Sequence, residues 1–159
     1  MQPIKIDLAA SVGSEDVCKE LIKAGSTVNA GNSFGNSPLQ HACRSRSVEI
    51  VRLLLEQGID VNVQNHRGST ALHICAYVAT QTNIPSDEDR TNIGRLLSFY
   101  KGEGKRRRRE SSLVIDPALQ IAAILLKCGH AKVNVKDKYG YTGNSIFYKG
   151  LQCLYIIIL

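Results

Sequence analysis

Val48-Glu49-Ile50-Val51-Arg52-Leu53-Leu54-Leu55-Glu56-Gln57-Gly58-Ile59-Asp60-Val61-Asn62 decides the fold of this 159-residue chain. Val48, Val51, Leu54 and Leu55 recur at helical spacing, and Ile50 and Leu53 widen the apolar stripe. Gln57-Gly58 ends the helix, glycine supplying the left-handed conformation common just past a helix end. The same landmarks stand 33 residues earlier: Gly25 under Gly58, Val28-Asn29 under Val61-Asn62, Leu21 under Leu54 and Val17 under Ile50. Gly35 and Leu39 precede Gly68 and Leu72 by the same interval. A fixed period of this length marks one small unit used several times, each copy unable to bury its own apolar face.

Working outward, Ser37-Pro38 starts a helix whose Leu39 and Ala42-Cys43 lie one turn apart. Proline fits there because the N–H it lacks has no intrahelical partner in a first turn. A break at Arg44-Ser45-Arg46-Ser47 separates this helix from the one at Val48, and residues 61–68 form a polar turn. Each unit therefore reads as turn, helix, short loop, helix and extended loop.

These residues resemble the ankyrin repeat. Asn36 to Cys43 and Ser69 to Ala76 both look like its T-P-L-H-x-A-A opening, and Val48 to Asn62 matches its second helix and exit. The resemblance implies an all-α solenoid of about three helix-turn-helix units with exposed hairpin-like turns. The array is expected over residues 1–143, with units at about 5–34, 35–67 and 68–139. The first copy, Leu8 to Asn29, lacks the opening turn, as an amino-terminal cap often does.

The third copy is interrupted, since Gly68 to Gly140 spans 72 residues. Its first helix runs from Ala71 to about Thr80. The best match to its second is Pro117 to Cys128, with Ile121, Ile124 and Leu125 as the stripe and Gly129 as the stop. Thirty-eight extra residues precede that glycine and one more falls within 129–134, so the insertion covers roughly 81–115. Within it Ser86 can cap Asp87-Glu88-Asp89, and Ile93, Leu96, Leu97 and Tyr100 share one helical face. A tether, Gly102 to Ser112, follows. A competing register makes Ile93 to Leu97 the second helix and places the insertion after it. At the far end Gly143-Asn144 replaces the expected Pro-Leu, and residues 144–159 form an atypical hydrophobic tail ending Leu-Tyr-Ile-Ile-Ile-Leu.

Composition narrows the function classes. Hydrophobic residues at 43% suffice for a continuous core. No run approaches the ~20 apolar residues of a membrane helix, and Met1 to Leu8 lacks the basic-then-apolar order of a secretory signal. Five scattered cysteines without a C-x-x-C pair argue for a reducing compartment, and the expected location is cytoplasmic, nuclear or both. Of the +6 net charge, six cations and one anion within 101–109 carry +5, leaving about +1 elsewhere. The excess is one patch, so general nucleic-acid binding is not expected.

No catalytic, cofactor or metal site emerges, and no enzyme or small-molecule substrate is expected. His73 falls on the family's structural histidine. His41 lacks a companion at metal-ligand spacing. Cys43 and Cys75 replace small core residues. The resemblance instead implies protein binding by a concave surface of turn tips and first helices. Carried over by register, the partner-binding tips are Ser33, Phe34 and Asn36; His66, Arg67 and Ser69; and Lys138, Tyr139 and Tyr141. The facing helix positions are Arg44, Ser45, Tyr77 and Val78. Phe34 and Tyr139 are the expected anchors, because exposed aromatics are enriched at interfaces; the alternative is that the tips are polar turn filler. Arg46 stands where the family usually has glycine, implying a strained or specialised loop.

The run Lys105, Arg106, Arg107, Arg108, Arg109 suits capture by an import receptor, or is a solvated loop; contact with lipid or nucleic acid is the weaker reading, as no aromatics are interleaved. Ser111, in Arg108-Arg109-Glu110-Ser111, looks like a basophilic kinase site whose phosphate would weaken any contact the run makes. The rival to a free-standing binding module is a targeting or regulatory part of a larger enzyme or channel.

Overall fold

The computed structural model describes residues 5–81 and 116–146. Among the described residues six helices follow one another, α1 (Ile6–Val12), α2 (Glu15–Lys23), α3 (Pro38–Arg44), α4 (Val48–Glu56), α5 (Ala71–Gln81) and α6 (Pro117–Lys127), and residues 143–146 begin a further helical turn. Among the described residues there is no strand, only an isolated bridge between Lys136 and Thr142. The fold is the all-α solenoid expected: α1 packs on α3 and α3 on α5, while α2, α4 and α6 form the second row.

Side-chain caps start α3 and α6. Ser37 caps α3 with a capping box: its hydroxyl accepts from the Gln40 N–H (3.4 Å), while the Gln40 carboxamide oxygen accepts from the Ser37 N–H (3.1 Å). Asp116 caps α6, its Oδ1 accepting from the Ala118 N–H at 2.7 Å, with Pro117 in the first turn. The break falls at Ser45–Ser47, one residue later than expected because α3 runs through Arg44, and Arg46 turns the chain there with φ 58°.

Apolar side chains from every unit merge into one core, in which Leu39, Ile50, Leu54, Leu72, Ile121, Ile124 and Leu125 are fully buried. Leu21 packs at its edge. Val17 departs from the register reading: it is 42% exposed where Ile50 is fully buried. Leu8 and Val12 are exposed with it, because among the described residues no helix pair stacks on the outer side of the first unit.

The third unit is assembled from two distant stretches. Helix α6 packs on α5 and α4, so Pro117–Lys127 is the second helix and the first register holds. The stop needs correction. Gly129 does not adopt positive φ; His130 does, at 52°. In units one and two the closing bond runs five residues back, Ser26 N–H to the Leu21 carbonyl and Ile59 N–H to the Leu54 carbonyl. In unit three it runs six, Ala131 N–H to the Leu125 carbonyl (3.0 Å). The single extra residue therefore sits inside the helix cap. Gly129 serves a different need: a Cβ there would lie 2.9 Å from the Leu125 carbonyl oxygen.

Residues 142–146 repeat the helix-start geometry, past the boundary expected at 143. The Thr142 N–H donates to the Ser145 hydroxyl (2.9 Å) and the Ser145 N–H to the Thr142 hydroxyl (3.1 Å). Gly143 replaces the family proline because Leu72 of α5 presses against it; a Cβ would come within 2.9 Å of the Leu72 side chain. The amphipathic segment Ser86–Tyr100, the tether, the basic run, Ser111 and the tail beyond 146 lie outside the described residues.

Candidate recognition surface

Each turn tip is built around one short polar side chain. Asn32 Oδ1 accepts from the N–H groups of Phe34 (2.9 Å) and Asn36 (3.0 Å). Asn65 Oδ1 does the same for Arg67 (2.9 Å) and Ser69 (3.0 Å), and Asp137 Oδ1 for Tyr139 (2.9 Å) and Tyr141 (2.8 Å). Two orphan donors satisfied by one oxygen lock the loop with its intervening side chains outward. The register reading missed these three residues, although they recur at the same 33- and 72-residue spacings as the glycines.

Neighbouring tips are bonded to each other. The His66 N–H donates to the Phe34 carbonyl (3.0 Å), the Lys138 N–H to the Arg67 carbonyl (2.9 Å), and the Asn65 side-chain amide to Asn36 Oδ1 (2.8 Å). Gly68 must be glycine: its φ is 75°, and a Cβ would lie 3.0 Å from the Lys138 nitrogen. From below, Gln40 and His73 tie each first helix to the following tip. Gln40 Nε2 donates to the carbonyls of Ser69 (2.7 Å) and Val63 (3.0 Å). His73 Nδ1 accepts from the Thr70 N–H (3.2 Å), which leaves the proton on Nε2 to donate to the Tyr141 carbonyl (3.0 Å). His73 is thus structural, as the resemblance implied.

The expected partner-binding residues divide into two groups. Phe34, Arg44, His66, Arg67, Tyr77, Lys138, Tyr139 and Tyr141 are exposed, Phe34 at 69% and Tyr139 at 73%. Asn36, Ser45 and Ser69 are half-buried and bonded within the stack. The Asn36 oxygen holds Asn65. The Ser45 hydroxyl donates to the Ala10 carbonyl (2.8 Å), and the Ser69 carbonyl receives Gln40. Val78 is half-buried too, and its carbonyl accepts from the Arg46 guanidinium (3.1 Å). Arg46 also faces Asp116 at 3.8 Å. One guanidinium therefore bridges the end of α5 to the cap of α6, the two stems that flank residues 82–115. This is why an arginine tolerates the left-handed conformation there: the bridge offsets a strain of about 1–2 kcal/mol.

Of the four described thiols Cys128 is exposed, and the three buried ones give nucleophilic chemistry no footing. Cys18, Cys43 and Cys75 are buried. Burial pushes the Cys75 thiol well above its ordinary value, and the adjacent Cys43 sulfur adds to this. Burial and then Glu15 raise Cys18. Raised thiols stay protonated and unreactive at neutral pH. Among the described residues no three metal-ligating side chains gather, and no helix is long and apolar enough to cross a membrane.

The fold and its tied row of tips define an ankyrin-repeat array. The family model for ankyrin repeats (three copies) matches residues 6–84, and the chain belongs to this family. The match ends where the insertion breaks the period. The chain is similar to the human transient receptor potential cation channel subfamily V member 5, 51% identical over 71 residues, 45% of this chain and 9% of the channel. It is similar to a mouse B-cell lymphoma 3 protein homolog, 36% identical over 69 residues, 43% of this chain and 15% of that protein. An E3 ubiquitin-protein ligase of Arabidopsis thaliana is 39% identical over 66 residues, 40% of this chain and 13% of the ligase. The chain thus spans a small part of the length of the relatives it matches. Ankyrin repeats mediate protein–protein interaction and are typically non-catalytic.

Proposed function

We propose that the chain binds a protein partner through the exposed tips and first-helix face. The observation that carries this reading is the pair Phe34 and Tyr139. Both are large aromatic rings most of the way into solvent, on loops whose backbone N–H groups are held by the side-chain oxygens of Asn32 and Asp137. Rigid aromatic anchors lose little conformational entropy on binding, and Tyr and Arg dominate interface energetics. The test is an affinity pull-down comparing the wild type with a Phe34→Ala, Arg67→Ala, Tyr139→Ala variant. Proteins captured by the wild type and lost by the variant support the tip surface. The same set captured by both contradicts it.

A second reading is that this array positions a larger assembly. The channel and the ligase among its relatives, of which the matched stretch is a small fraction, favour it. Detection of a longer endogenous polypeptide carrying these residues would support it. The run Lys105–Arg109 is proposed as the contact for an import receptor, giving a nuclear as well as a cytoplasmic pool. Alanine at all five positions then abolishes nuclear accumulation; unchanged accumulation contradicts the assignment.

A further inference from the structure

Phe34, Arg67 and Tyr139 occupy the same position in three consecutive tips, at intervals of 33 and 72 residues. All three are exposed, and Arg67 and Tyr139 each follow directly on the residue whose N–H bonds the preceding tip. The surface therefore presents an aromatic ring, a guanidinium and a second aromatic ring in one rigid row. Helices α1, α3 and α5 pack side by side beneath it, so successive members of the row repeat at about 8–10 Å, the spacing of packed helices.

The exposed side chains at the middle of the row are cationic. Arg67 forms no ion pair among the described residues, and Lys138, whose N–H is bonded to the Arg67 carbonyl, is exposed beside it. Most acids lie elsewhere: Asp7 is on α1 and acts on His41, Asp60 accepts from the Asn62 N–H, and Asp116 faces Arg46. Glu15, Asp16, Glu20, Glu49 and Glu56 are on α2 and α4, where Lys19 and Lys23 pair with Glu15 and Glu20. Asp137 is within the last tip, but its Oδ1 accepts two backbone N–H groups. A guanidinium held between apolar rings, without a carboxylate of its own, calls for a carboxylate flanked by apolar groups.

Spacing selects the backbone that can deliver that pattern. A polyproline-II chain rises 3.1 Å per residue with three residues per turn, so every third side chain returns to one face after about 9.3 Å. A β-strand advances about 10 Å in three residues, but the first and fourth side chains then point to opposite faces. An α-helix repeats a face every seven residues, about 10.5 Å, just beyond the row's interval. We infer that the row Phe34–Arg67–Tyr139 reads an extended polyproline-II segment carrying proline or another apolar residue, then aspartate or glutamate, then a second apolar residue, at successive intervals of three. This rests on the tip surface proposed above and adds the chemistry of its partner.

The test is selection from a displayed library of random twelve-residue peptides, run in parallel on the full chain, on a Phe34→Ala, Arg67→Ala, Tyr139→Ala variant and on an Arg67→Glu variant. Circular dichroism checks that each variant keeps its helices. The expected result is enrichment by the wild type of apolar-x-x-acid-x-x-apolar sequences and their loss on the triple variant. On Arg67→Glu, lysine or arginine should replace the acid, and a wild-type-selected peptide should bind about tenfold more weakly by fluorescence anisotropy. Peptides that depend on the tips but lack the spaced acid overturn this inference and leave the tip surface standing. Peptides kept by the triple variant overturn both. No enrichment on the wild type overturns the inference alone, since a folded partner surface would still fit the tips.

Discussion

Units two and three bury equivalent leucines in one core, Leu54 on α4 and Leu125 on α6, yet they are closed by different means. In unit two the helices are joined by the three residues Ser45–Ser47, α4 has no side-chain cap bond, and the exit turns at Gly58 with φ 71°. In unit three 35 residues separate the helices, Asp116 caps α6 with a 2.7 Å bond, and the exit turns at His130. The lesson is that the stack places the second helix, not the connection. Lengthening a loop costs only about 0.6 kcal/mol per doubling. Burying the apolar face of α6 outweighs that several-fold.

Several substitutions break or sharpen this contrast. The largest effect belongs to the core: Leu54→Ala and Leu125→Ala should each destabilise by about 2–5 kcal/mol in chemical denaturation. Similar losses support equivalence of the two helices, whereas a negligible loss for Leu125→Ala would mean that α6 is not seated. Next come the tips. Gly68→Ala should cost about 2–4 kcal/mol, because left-handed strain adds to a backbone clash with Lys138. Gly140→Ala should cost only about 1 kcal/mol, since nothing lies within 4 Å of its Cβ position. Equal costs would show that the tips do not press on one another.

Smaller effects concern the two non-glycine residues in left-handed conformation. Arg46→Ala keeps the strain and loses the bridge to Val78 and Asp116, so it should cost about 1–2 kcal/mol. Arg46→Gly relieves the strain and should cost less. His130→Gly should raise stability by about 0.5 kcal/mol, as the ring makes no hydrogen bond among the described residues to offset its strain.

The smallest effect is pH dependence in unit two alone. The Asn32 side-chain amide, oriented by the two N–H groups its oxygen accepts, donates to His41 Nε2 at 3.1 Å. His41 must be neutral to accept. Burial lowers its pKa; Asp7 opposes this and Arg44 reinforces it. A depressed folded value means the unfolded chain binds the extra proton. The contribution is complete above about pH 6.5 and is lost as pH falls through the folded value. His41→Gln, which keeps an acceptor, should flatten the thermal-stability profile between about pH 7 and 5. Unit three has Ile74 at the matching position and no such dependence.

The period made the helices legible because it repeats burial: Leu21, Leu54 and Leu125 all join one core. Spacing also located α6 beyond the insertion, since Ile121, Ile124 and Leu125 keep the stripe. What stayed hidden depends on single atoms. Whether Gly129 or His130 turns the chain follows from where one extra residue enters a hydrogen-bonded loop, which a residue count leaves open. The tips divided along the same line. The bulky rings of Phe34 and Tyr139 stay exposed, whereas the short polar side chains of Asn36 and Ser45 are drawn into bonds with neighbouring units. Val17 matched its register but not its burial, because burial needs a neighbour on the outer side.

Excision of residues 82–115 tests the central claim most directly. Arg46 already holds the two stems within the reach of one guanidinium, so a loop copied from Ser45–Ser47 can join Gln81 to Asp116. The account predicts that the shortened chain keeps its helical circular dichroism and melts in one cooperative transition at or above the temperature of the full chain. Loss of the α6 contribution, or a transition that splits in two, would contradict it.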